Sequence, residues 1–337
     1  MGELRKLVAP DEGRDAMRQL GGLLVGLGLL MVFVRKGSGL GETWGDWGLL
    51  ATLLIAFAFL YGVGMLGALA TGRPRSWEAV YLVFGILVAP LALLQFIEAI
   101  NGTPGASLNT FWVFGVTAAL AVAATLMARV RYGFLLASLA VIVSWSALWD
   151  KVLSGGIGDH FGIYRGLLII LAALLLAAAF AASRLGEPEG RARASEIVTG
   201  ASVSAVLAGS LSIPKIFAVS NPFISISAPS SSLLWEIVLL VVSLLAVGYG
   251  SRFAVRGPAY VGGIGLLIFL AIAGADINDT SPQGRIVGWP LALVVIGVVA
   301  FAASLVPGIK TPDLNLEGGG RGSDTPAGPE AGPGPTA

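Results

Sequence analysis

Apolar residues in this chain come in long runs rather than in stripes. The run from Gly166 to Ser183 is eighteen residues without a charge, closed by Arg165 in front and Arg184 behind. As a helix it would be about 27 Å long, close to the hydrocarbon thickness of a bilayer. A helix in water keeps a polar stripe, whereas one that is apolar all round needs either burial on every side or lipid. The same design recurs along the chain and predicts spans at about 20–34, 48–70, 79–100, 110–128, 133–149, 164–183, 197–218, 233–250, 258–274 and 286–305. A backbone in lipid must satisfy its own amides, and a helix does so within one segment. The expected fold is therefore all-α, a polytopic transmembrane helix bundle of about ten spans.

The segments between the runs set the domain organisation. Residues 1–19 form a polar N-terminal segment, in which Asp11 to Leu20 suits a short amphipathic helix on the membrane surface. The first apolar run is followed by Arg35-Lys36 and by no small-x-small cleavage pattern, so it reads as a retained span. The bundle covers 20–310. Connections are mostly under fifteen residues, which makes consecutive helices antiparallel neighbours. The longest charged connection, about 184–196, divides the spans into six and four. Residues 311–337 are rich in Gly, Pro and small polar residues, a composition that cannot build a core, and read as a disordered tail.

Lys and Arg then orient the bundle. With the N-terminus inside, inner segments hold fifteen of them and outer segments six, with Arg35-Lys36 the one discordant pair. That asymmetry places both termini in the cytoplasm. Seven of the eight tryptophans (Trp44, Trp47, Trp112, Trp145, Trp149, Trp235 and Trp289) fall near the expected outer boundary, where an indole has one wet edge. Spans three, five and nine each enter from the inner side behind an arginine and then an aromatic: Arg75-Ser-Trp, Arg131-Tyr and Arg256-Gly-Pro-Ala-Tyr. Positive loops and an aromatic belt acting on unrelated helices account for that likeness better than an internal repeat does.

Composition narrows the chemistry. Charged residues are 12% of 337 against 55% hydrophobic, and the net charge of +1 points to no nucleic-acid partner. There is no cysteine and one histidine, which excludes thiolate and multi-histidine metal sites within this chain. The arginine excess over lysine, with abundant Ala and Gly, suits a GC-rich bacterial genome and hence the bacterial cytoplasmic membrane. No Gly-x-Ser-x-Gly elbow, His-Glu-x-x-His or Walker loop is present, so the reading leans away from an enzyme and implies no cofactor.

What remains is a set of polar residues near the outer face. Glu98 and Glu236 lie within about a turn of expected helix ends, and Asp150 and Asp276 stand beside outer loops. Arg165, Lys215 and the single histidine, His160, share their membrane depth. An ionisable group at a membrane helix is costly unless it is paired, wet or functional. The bland reading is pairing and solvation at headgroup depth; the sharp one is an outward site in which Glu98 and Glu236 hold a cation or proton. Span seven is rich in Ser and Gly and ends at Pro214-Lys215, so it belongs inside the bundle, where Ser204 either packs or lines a path. Small-residue faces such as Gly22-x-x-x-Gly26 allow close helix contact, within the chain or with a protein partner or second copy. Three readings follow: a non-enzymatic membrane or partner-binding component, a transporter of an unidentified solute with a polar path along span seven, and a membrane enzyme using the outer carboxylates. The first is favoured.

Overall fold

The computed structural model describes residues 12–34, 40–71, 75–153, 156, 160–184, 188–211 and 233–275. The described residues fold into nine helices: α1 (Glu12–Val34), α2 (Leu40–Thr71), α3 (Ser76–Ala99), α4 (Ser107–Ala128), α5 (Gly133–Val152), α6 (Phe161–Ser183), α7 (Pro188–Ser210), α8 (Leu233–Arg252) and α9 (Arg256–Ala275). No strand occurs among them. All but α7 and α9 are long and apolar enough to cross a membrane, and α9 carries a shorter apolar stretch, Arg256–Ile272. The described residues fall in the first of two compact units, Met1–Gln283. The tenth expected span at 286–305 and the tail at 311–337 lie outside them.

Three boundaries differ from the expected ones, each for a local reason. The polar start and the first apolar run form one continuous helix, with no separate surface helix. Arg18 pairs with Asp15 at 2.7 Å and lies 5.5 Å over the Trp77 ring of α3, so α3 covers this charged turn. α2 begins before its apolar run and bends at Gly45, whose φ of 64° and ψ of 164° suit a residue without a side chain. α7 begins at Pro188, inside the charged connection, because proline at the first helical position loses only an amide that has no helical partner.

Consecutive helices pack as hairpins, α2 on α3, α4 on α5, α6 on α7 and α8 on α9, while α1 lies on α3. α7 touches α5, α6, α8 and α9, as a helix poor in large apolar residues requires. The groups α1–α5 and α6–α9 meet chiefly through α5, which packs on α6 and α7. The small residues are where helices come closest. A methyl at Gly22 would run into the Tyr81 ring, and one at Gly26 into Phe84, so this motif docks α1 on α3. Gly200 of α7 sits against Ser138 of α5 in the same way. Leu53, Leu60 and Val88 fill the core of the first group, and Leu168, Leu171 and Ala208 that of the second.

Candidate functional site

The polar groups gather at the end of the bundle where α5 and α8 meet the start of α6. Asp150, in the last turn of α5, accepts a hydrogen bond from Ser107 at the start of α4. The turn after α5 closes over it: a methyl at Gly156 (φ 78°) would lie 3.0 Å from Asp150 Oδ1. Ser146 Oγ donates to the Ile142 carbonyl at 2.7 Å, so the Tyr164 hydroxyl, 2.5 Å away, is the donor between those two. Next to Tyr164, Arg165 is 3% exposed, and its guanidinium lies 5.3 Å over the ring of Trp235 on α8. Glu236, the following residue, is 6% exposed. A desolvated guanidinium on an indole face gains electrostatic energy that an exposed one does not.

Of the eight residues singled out by sequence, the structure brings Asp150, Arg165 and Glu236 to this end. His160 stands half-buried ahead of the first turn of α6. Ser204 is fully buried, and its hydroxyl donates to the Leu168 carbonyl of α6 at 2.9 Å. Glu98 is elsewhere. It ends α3, whose neighbours are α1, α2 and α4, whereas Glu236 belongs to α8, which packs on α7 and α9. The two glutamates expected to share a cation therefore sit in different helix groups. Lys215 and Asp276 lie outside the described residues. Among the described residues no group of three or more His, Asp or Glu could hold a metal ion.

Three polar side chains that the sequence did not single out are more deeply engaged. Glu78 is fully buried in the first turn of α3, where its Oε2 accepts the Arg75 amide at 2.8 Å and its carboxylate packs against Gly67 of α2. Gln95, also in α3, donates to the carbonyl and the side chain of Asp46, each at 3.3 Å, just past the Gly45 bend. Glu196 of α7 accepts the Tyr132 amide at 2.8 Å and the Phe134 amide at 3.1 Å, which caps α5. The available signal for Glu78 was its place three residues into a helix. None existed for Glu196, whose partners are backbone groups of a distant segment.

Apolar helices of membrane-spanning length, small residues at the crossings and polar groups that bond across helices define the class: this is an all-helical transmembrane protein. No family model matches the chain, and no curated protein does. In the solved structures, a chain of "MycP5-free ESX-5 inner membrane complex, State II" is similar to it in fold, with a TM-score of 0.58 at 15% sequence identity. The likeness covers 90% of this chain and 74% of that one. At that identity it is a likeness of fold.

Proposed function

We propose that this chain is a non-enzymatic, partner-binding subunit of a membrane assembly, seated in the bacterial cytoplasmic membrane. The observation that carries the reading is a set of hydrogen bonds that join helices. Ser204 donates to Leu168, Trp145 Nε1 to the Leu167 carbonyl at 3.2 Å, Ser144 to the Phe111 carbonyl at 2.9 Å and Tyr61 to the Leu120 carbonyl at 3.1 Å. Each joins a side chain to the backbone of a neighbouring helix, the use expected of a scaffold rather than of a wet path. The fold likeness to a chain of an inner membrane complex supports the same reading.

The test is extraction of the tagged chain from its native membrane in mild detergent, with mass measured on the intact particle. A stoichiometric second protein, recovered again when that protein carries the tag, is the expected result. A chain that leaves the membrane alone at native expression counts against the proposal. The transport reading draws on the buried Arg165 and Glu236. It gains if the purified chain moves solute in liposomes and Glu236→Gln abolishes that movement.

A further inference from the structure

Helices α4 to α9 carry arginines in a repeated setting at one end. Phe134 of α5, Ala179 and Ala182 of α6, Ile197 and Val198 of α7 and Tyr249 of α8 form one cluster, so the start of α5 and the ends of α6 and α8 lie together against α7. Gly257, packed on Thr199, brings the start of α9 to the same end. Of the exposed arginines there, four stand beside an exposed aromatic ring, while Arg129 and Arg191 do not. Arg131 lies 5.1 Å over Tyr132, itself 50% exposed, and Arg184 lies 4.4 Å over Phe180, 58% exposed. Arg252 adjoins Phe253, 57% exposed, and Arg256 stands one helical turn before Tyr260, 66% exposed. Among the described side chains of this end, the carboxylate is that of Glu196, and it is committed to the amides of α5. The end therefore presents positive charge, with its acid engaged by backbone amides beside Arg131.

We infer that this rim is a binding surface for anionic phospholipid headgroups, with each guanidinium at the phosphate and its neighbouring ring at the level of the glycerol. The alternative occupant, an acidic protein, is disfavoured by the rings. Arginine and aromatic rings also serve protein interfaces, but here the rings accompany the charges at the ends of membrane-length helices, the depth at which headgroups lie. At the boundary of a bilayer the same rings are buried to half their depth while the guanidinium stays at the polar level. The pairing also explains arginine rather than lysine, because a planar cation stacks on a ring and donates to a phosphate at once. The inference rests on the membrane-spanning reading of the helices and not on the subunit assignment.

The experiment reconstitutes the full chain in vesicles of equal phosphatidylglycerol and phosphatidylcholine, extracts it in mild detergent and weighs the lipid that stays bound. The expected result is a bound ratio favouring phosphatidylglycerol by about fivefold or more, falling toward the bulk ratio in high salt. The quadruple variant Arg131→Gln, Arg184→Gln, Arg252→Gln, Arg256→Gln, with unchanged helical circular dichroism, is expected to lose most of the preference, although Arg129, Arg191 and Arg193 stay in place. Phe180→Leu with Tyr260→Leu, at unchanged charge, is expected to lose about half of it. Equal retention of both lipids by the parent protein overturns the inference. So does a quadruple variant that keeps the preference, or one that sheds an acidic protein partner while its lipid ratio stays the same. Ring variants indistinguishable from the parent remove the headgroup-and-ring arrangement and leave simple surface charge. If the quadruple variant misfolds, the salt series on the parent decides, since a preference that survives high salt is not made by exposed arginines.

Discussion

The carboxylate of Glu196 accepts the backbone amide of Tyr132 at 2.8 Å, across 64 residues of sequence. Tyr132 has φ of 70° and Arg129 φ of 54°, so the turn joining α4 to α5 holds two non-glycine residues in the left-handed region. Such a turn persists where its surroundings over-determine it. Glu196 does so by taking the amides at the start of α5, and it fastens α7 to α5 where the two helix groups meet.

Replacing Glu196 by alanine should therefore cost about 0.5–2 kcal/mol, the cost of losing a helix cap whose amides are only partly shielded from water. Glutamine, which keeps one acceptor, should cost less. Thermal unfolding in detergent, followed by tryptophan fluorescence, reads the difference. An alanine variant as stable as the parent would remove the cap from the account of the fold.

The same carboxylate gives a pH dependence. Glu196 precedes the apolar run of α7, and burial pushes it above its ordinary value of 4.5, with the amide bonds and Arg131 offsetting part of the rise. An acid raised in the folded state holds its proton more tightly there than in the unfolded chain. Its contribution to stability is complete below the ordinary value and declines as pH rises through the raised one. The midpoint of unfolding should fall over that window in the parent and not in Glu196→Gln. A parent whose midpoint instead rises with pH there contradicts the assignment.

Ser204 of α7 and Trp145 of α5 donate to the successive carbonyls of Leu168 and Leu167 on α6. Ser204→Ala and Trp145→Phe should each cost about 0.5–1.5 kcal/mol. The two acceptors are successive carbonyls in one packed cluster, so the losses should couple rather than add in the double variant. A serine that lined a path would change transport with no loss of stability, and unfolding of Ser204→Ala separates the two.

Arg165 and Trp235 form the contact by which α6 and α8 meet at the polar end. Lysine at 165 keeps the charge and loses the planar stack. A double-mutant cycle of Arg165→Lys with Trp235→Leu should give a coupling of about 0.5–2 kcal/mol. A coupling near zero shows that the ring and the guanidinium are neighbours without an energetic link.

How much of this was legible depends on which partner a residue uses. The start of α3, the turn from α4 to α5 and the end of α6 were readable because Arg75, Arg129, Arg131 and Arg184 interrupt the apolar runs there, and a charge is costly in hydrocarbon. The early start of α7 was not. Its charges argue against a span, yet they say nothing against a helix, and Pro188 fits either reading. Arg165 and Glu236 were visible as charges beside apolar runs, and the structure buries both. Glu78 and Glu196 were passed over because, among arginines, a carboxylate reads as a counter-ion at a loop. Their partners are amides, and a backbone amide leaves no mark in the sequence of another segment. Glu98 and Glu236 were grouped by depth, which hydropathy reports; the helix group to which each belongs depends on packing, which it does not.

The docking of α1 separates two uses of a small-residue motif. Gly22 and Gly26 lie four apart on one face of α1, a spacing that serves equally for a second chain and for a neighbouring helix. Here Tyr81 and Phe84 of α3 occupy that face, leaving no room for a larger side chain. Gly22→Leu should push α1 from the Tyr81 ring and cost about 1–3 kcal/mol, as overpacking does. The movement would also take Arg18 from Trp77, since Gly22 lies one turn beyond Arg18 on the same helix. The readouts are proteolysis of the N-terminal helix, which should increase, and the mass of the particle in detergent, which should stay the same. If the particle instead dissociates into smaller units while α1 stays protected, the motif joins two chains, and the contact with α3 is not what selects its glycines.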